Sequence, residues 1–242
     1  MREQLITIDA RFCGPPRSGN GGYVCGLVAA KLQAADAVAV RLKAPPPIGR
    51  ALRLESTSGG VRLLDGEVSI AEARASVVDL EVPSCPSLDE ASRASQRYLG
   101  FASHNFPTCF VCGPDRESGD GLRIFPGALA GGSSILAATW TPDASLADSA
   151  GIIGSEFVWA ALDCPGAFTR YPLADGIALV LGELAVAQEV PLAAGESCIL
   201  TAWSLGDDGR RRHAGTALHR ADGELVARAR AVWVEVPAQA WG

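Results

Sequence analysis

The chain contains no stretch of about 18 consecutive apolar residues, the length a helix needs to cross a bilayer, so no membrane span is expected. It has no long basic run either. Its formal net charge is -6 over 242 residues, and nucleic-acid affinity comes mainly from neutralising phosphates, so a nucleic-acid partner is not expected. Arg210-Arg211-Arg212 is the only basic triplet. It follows Gly206-Asp207-Asp208-Gly209, so it reads as a solvated hairpin end, with a local phosphate contact as the alternative. The opening MREQLITIDARF lacks the apolar core of a signal peptide. The three histidines, His104, His213 and His219, are too dispersed to suggest a Ser-His-Asp triad. His213 and His219 alternate on a predicted strand and read as surface residues. There is no G-x-S-x-G elbow, no G-x-x-x-x-G-K-[ST] phosphate loop and no H-E-x-x-H.

What is present is an ordinary globular composition, 48% apolar and 20% charged, long enough to bury a sizeable core. Seven cysteines, an odd number, are scattered through apolar and loop segments. Together with an opening segment that lacks a signal-peptide core, they lead to the expectation of a reduced, cytoplasmic protein. Cys109 and Cys112 form a single CxxC, with His104 five residues earlier. A structural zinc site wants four ligands and no second CxxC exists, so no metal and no cofactor are expected, and loop packing is the default for these cysteines.

The strongest signal is internal repetition. Residues 5–83 hold an alternating segment from Leu5 to Ala10, a Gly/Pro-rich turn, a predicted helix from Tyr23 to Ala35, and four β-like runs (AVAVRLKA, RALRLES, VRLLDGE, ARASVVDLEV). Residues 121–237 follow the same order. LRIFPG and SSILAATWTP are strand-like, SEFVWAALDCPGAFTRY is helical, and four more strands follow. Asp65-Gly66-Glu67 recurs as Asp222-Gly223-Glu224, each a turn before the last strand. Pro47-Ile48-Gly49 likewise matches Pro191-Leu192 and Gly195. The boundaries are 1–83, a linker over 84–120 that includes a polar helical stretch, LDEASRASQRYLGF, and 121–242. One helix beside five strands excludes a doubly wound parallel sheet and predicts an α+β unit, an antiparallel sheet covered on one face by its helix.

That plan resembles a tandem, or double, hotdog. Cys109-Phe110-Val111-Cys112-Gly113-Pro114-Asp115, followed by Gly119-Asp120-Gly121-Leu122, is similar to the leader of phenylacetate-pathway-type thioesterases, within the 4-hydroxybenzoyl-CoA thioesterase superfamily. Asn20-Gly21-Gly22-Tyr23 resembles the His-Gly-Gly that opens the central helix there, with Asn in place of His. The resemblance implies a long central helix in each unit, an acyl-CoA or acyl-carrier thioester substrate, and an acid eight residues into the helix. Counting from Ser155 reaches Asp163, and the same count from Asn20 reaches Val28.

Thioester hydrolysis needs a donor for the carbonyl oxygen and a group that activates water. A helix start supplies free N–H groups and the positive end of a dipole, and glycines allow close approach. Gly22 and Tyr23 are therefore expected to offer oxyanion amides, Asn20 and Gly21 to line the substrate, and Asp163 to act as base or nucleophile. Ser155 and Glu156 would mark the start of the other helix, near a degenerate second site. Glu156 also suits the dipole of its own helix. One complete site per chain follows, and the units could assemble into a homo-oligomer. The rival readings are an acyl-CoA-binding module that has lost turnover and a hotdog enoyl-CoA hydratase or dehydratase.

Overall fold

The computed structural model describes residues 4–32 and 35–241. Among these residues one layer dominates, an antiparallel sheet of eleven strands. The strands are β1 (Gln4–Thr7), β2 (Ala37–Leu42), β3 (Ala51–Thr57), β4 (Gly60–Asp65), β5 (Val68–Ser76), β6 (Gly127–Ala128), β7 (Leu136–Trp140), β8 (Ile177–Gln188), β9 (Cys198–Asp208), β10 (Arg211–Arg220) and β11 (Leu225–Pro237). Across the sheet the order is β1-β3-β4-β5-β2-β8-β11-β10-β9-β7-β6. Leaving aside the two-residue edge strand β6, each half read inward follows one connectivity: the first strand, then the third, fourth and fifth, then the second, as β1-β3-β4-β5-β2 and β7-β9-β10-β11-β8. The two second strands, β2 and β8, meet antiparallel at the middle, with Val38 opposite Val186 and Val40 opposite Leu184.

Two helices lie on one face. Helix α1 (Gly21–Ala29) follows β1, and α3 (Ser155–Phe168) follows β7. Period-two alternation decides which residues meet them. Val38 and Val40 belong to the main core with Val24, Val28, Val158 and Leu162, while Ala37 and Ala39 face the other side and pack with Val78, Ala185 and Ala187. Thr216 Oγ1 donates to the Leu162 carbonyl at 2.8 Å and ties α3 to β10. The remaining helix, α2 (Leu88–Ser95), opens on a Ser87/Glu90 capping box. Its Ala91 and Ala94 pack on Ala137 and Ile199, away from the main core.

Local structure departs from expectation in three places. Helix α1 starts two residues earlier than Tyr23 and stops at Ala29. Lys31 and Leu32 turn back to Val28 and Ala29, three residues away, so the last turn tightens and closes the helix after nine residues. Part of the expected C-terminal end, residues 33–34, lies outside the described residues. LRIFPG is mostly not a strand, because the Leu122 and Ile124 N–H groups go to Phe110 and Val111 in the leader. His219 is not a surface residue: it is 5% exposed, on a strand whose register shifts at Leu218/His219 and at His213/Ala214. Such irregularities redirect side chains, so simple alternation fails there.

The basic triplet is a hairpin end, as its flanks suggested. Arg211 pairs with Asp208 at 3.5 Å and Arg212 with Glu235 at 2.6 Å.

Candidate active site

Helices α1 and α3 run antiparallel in very close contact, and two glycines make that possible. A methyl group on Gly22 would fall 2.4 Å from Asp163 Cβ and 2.7 Å from the Trp159 carbonyl oxygen. On Gly26 it would fall 2.5 Å from Glu156 Cα. Neither position accepts a side chain unless the helices separate.

This contact sets the start of α1 against the second and third turns of α3. Asn20 is the N-cap, and its Oδ1 accepts from the Tyr23 N–H at 2.9 Å. Its Nδ2 donates to Asp163 Oδ2 at 3.1 Å. The Gly22 N–H donates to the same Oδ2 at 2.8 Å. Asp163 is 1% exposed, and its Oδ1 has no hydrogen-bond partner. Burial pushes this carboxyl up to about 7, although the Gly22 and Asn20 donors pull it down.

The oxyanion assignment from sequence therefore changes. The Gly22 amide is spent on Asp163 and the Tyr23 amide on Asn20, so neither is open to a ligand. The first N–H of the helix, that of Gly21, has no acceptor among the described residues. The Tyr23 side chain is packed away, stacked on Phe12 with ring centroids 4.3 Å apart. Its hydroxyl is pushed up to about 12, chiefly by burial.

Asn20, Gly21 and Asp163 share the wall of a cavity of about 250 Å³, which also takes in Leu42, Phe106, Phe168, Leu181 and Trp233. Its lining is predominantly apolar with few polar groups, as in small-molecule sites. Trp233 Nε1 is buried there without a partner. Ser155 and Glu156 are not part of this wall: they start α3 at the far end of the helix contact, where Glu156 meets Gly26.

Isolated bridges fix how the two helix starts correspond. Cys13 pairs with Gly19 and Ser18 with Pro47; Ala147 pairs with Ile153 and Ile152 with Ala193. Asn20 thus corresponds to Gly154, the other N-cap, and Asp163 to Ala29 rather than Val28.

The cavity also gathers groups that the sequence kept apart. Cys109 and Cys112 of the leader meet Cys164 of α3, with all three sulfurs within 4.8 Å of one another. Cys109 Sγ lies 3.7 Å from Cys164 Sγ. Side-chain hydrogen bonds from Cys112 and Cys164 hold the Cys109 thiol well below its ordinary range, and the Val111 and Cys112 backbone amides add to this. His104 Nε2 lies 3.4 Å from Cys112 Sγ. Spacing along the chain pairs Cys109 with Cys112 but carries no signal for Cys164, which only helix packing brings in.

No family model matches the sequence, and no curated protein matches it. Solved structures do. A tesB protein of Mycobacterium avium subs. paratuberculosis is 14% identical with a TM-score of 0.61, over 97% of this chain and 93% of that one. An acyl-CoA thioesterase II, TesB2, of Mycobacterium marinum is 13% identical with a TM-score of 0.59, over the same shares. A conserved protein of unknown function with hot dog fold from Alicyclobacillus acidocaldarius is 12% identical with a TM-score of 0.59, again over 97% and 93%. The chain therefore has an α+β hotdog fold, shared with these structures over nearly its whole length.

Proposed function

We propose that the chain is a tandem hotdog, with units 1–83 and 121–242 joined by 84–120, that hydrolyses acyl-CoA or acyl-carrier thioesters at one site shared between the units. The duplication is supported by the matching strand order on each side of β2 and β8 and by the paired bridges around the two helix starts. Positive φ at Gly66 and Gly223, and at Gly49 and Gly195, adds to it. The chemistry rests on one observation. Asp163 of α3 is held by Asn20 and Gly22 of α1, with its second oxygen free, in the wall of an apolar cavity. The opposite pairing would need an acid at Ala29, so only one site is complete.

In this reading the thioester carbonyl oxygen faces the Gly21 N–H and the positive end of α1, and the acyl chain lies along Leu42, Phe168 and Leu181. Asp163 Oδ1 takes a proton from water as its oxygen bonds to the carbonyl carbon. Collapse of the tetrahedral adduct breaks the C–S bond, and the departing thiolate receives that proton. The name of the matched Mycobacterium marinum structure, an acyl-CoA thioesterase II, agrees with this substrate class.

Thiol release measured over short, medium, long and aromatic acyl-CoAs tests the proposal. Catalytic release with at least one acyl class is expected. Saturable binding without release would put a binding module in its place, and loss of enoyl-CoA absorbance would indicate a hydratase.

A further inference from the structure

We propose that Cys109, Cys112 and Cys164 form a three-sulfur site for a soft divalent cation, zinc first, which pins the 109–112 leader to α3. The site lies beside the proposed hydrolytic groups, but the inference stands whether or not the chain hydrolyses thioesters.

Geometry argues for it first. Two thiolates on a tetrahedral zinc, with Zn–S near 2.3 Å, stand about 3.8 Å apart. Cys109 and Cys164 are 3.7 Å apart, and Cys112 completes a triangle within 4.8 Å. All three residues are buried. Thiol packing alone does not require three sulfurs from two separate segments to converge in this way.

The leader makes the tight turn that brings Cys109 and Cys112 to one place, closed by the Gly113 N–H donating to the Cys109 carbonyl at 2.9 Å. Gly113 permits it: a methyl group there would fall 2.5 Å from the Cys109 and Pro107 carbonyl oxygens. Outer partners are in place as well. The Phe106 N–H donates to His104 Nδ1 at 2.9 Å, so the ring proton sits on Nε2, facing Cys112 Sγ. His104 is thus a donor to a ligand sulfur rather than a ligand. Asn20 Nδ2 lies 3.7 Å from Cys164 Sγ and 3.9 Å from Cys109 Sγ. Such donors orient sulfur ligands and offset their charge.

A second observation points the same way. Asp163 Oδ1, one residue from Cys164, is buried without a partner in the same cavity wall. A metal-bound water in the fourth position would supply the donor it lacks. Binding replaces S–H protons by the metal, releasing up to three protons per ion and leaving one negative charge that the Asn20 amide and His104 Nε2–H face.

The test uses the full chain, reduced and free of chelator. Zinc is titrated against a chromophoric competitor, and cobalt is substituted to read thiolate-to-metal charge transfer and tetrahedral ligand-field bands. One ion per chain is expected, with charge-transfer intensity of a three-sulfur site. Cys112→Ser and Cys164→Ser should each weaken binding at least about 100-fold, beyond the 10–100-fold typical of outer-shell losses. Cys85→Ser should leave it unchanged. The proposal is overturned if no ion binds while all seven thiols titrate as free after denaturation. A Cys109–Cys164 disulfide in metal-free protein, or binding indifferent to both serine variants, would overturn it too. The cobalt spectrum of the unaltered chain decides the matter even if a variant fails to fold.

Discussion

At the scale of single residues, Asp163 and Asn20 have separable duties. Asp163→Asn keeps the volume and removes the base, so turnover should fall at least about 100-fold with KM little changed and the circular dichroism spectrum retained. Near-normal turnover would remove Asp163 from the chemistry. Asn20→Ala loses an N-cap, which typically costs about 1 kcal/mol. It also strips one donor from a buried carboxylate, so both urea stability and turnover should drop. His219 gives a pH signature. Burial lowers its pKa, so the folded chain resists a proton that the unfolded chain takes up below about 6.5. Its contribution is therefore complete above that pH and is lost as pH falls through 6.5 toward the folded value, with a slope of at most about 1.4 kcal/mol per pH unit. Replacing His219 with Gln should flatten the acid limb of stability measured by urea titration; an unchanged limb would mean the ring accepts its proton freely in the folded chain. His104, also buried, shifts the same way and keeps part of the slope.

Much of this site could be read from residue types. Asn before two glycines is a local signal for a capped helix start, and an acid within an apolar helix announces a partner or a task. Which amide stays free was not readable, because Gly22 and Tyr23 are claimed by groups 141 and 3 residues away. Nor was Cys164's approach to Cys109.

Among the elements, the α1–α3 contact is the most sensitive to added volume. Gly22→Ala and Gly26→Ala each force a methyl group into backbone and should cost roughly 1–3 kcal/mol, read from urea midpoints. They should differ in activity. Gly22 touches Asp163 and its substitution should depress turnover beyond the stability loss, whereas Gly26 touches Glu156 and should leave turnover per folded molecule close to normal. Equal effects on turnover would dissociate the helix contact from the site. Strands with clean alternation, such as β2, were legible for a physical reason: one face joins the main core beneath α1, the other a thinner apolar layer. LRIFPG was misread because apolar periodicity cannot tell whether a backbone bonds to a sheet or to a neighbouring loop. Helix length was misread for a similar reason. Ala, Leu and Lys favour helix beyond Ala29, but hydrogen bonding tightens the turn there.

On the scale of the molecule, β2 and β8 join eleven strands without an interruption. A seam paired by backbone and buried on both faces should make the chain unfold as one unit. The five tryptophans provide the means to check, since all lie at or beyond position 140. Tryptophan fluorescence reports the second half, while hydrogen exchange in β3 to β5 reports the first. The two denaturant midpoints should coincide; separate midpoints would show that the seam does not couple the halves.

The glycine-mediated helix contact has a consequence for how such a site ages under heat. Acid and amide are spaced by main chain meeting main chain, with no long side chain to swing between them. Warming therefore cannot loosen the chemistry gradually through rotamer wandering. Activity per surviving molecule should hold nearly level until the fold itself gives way.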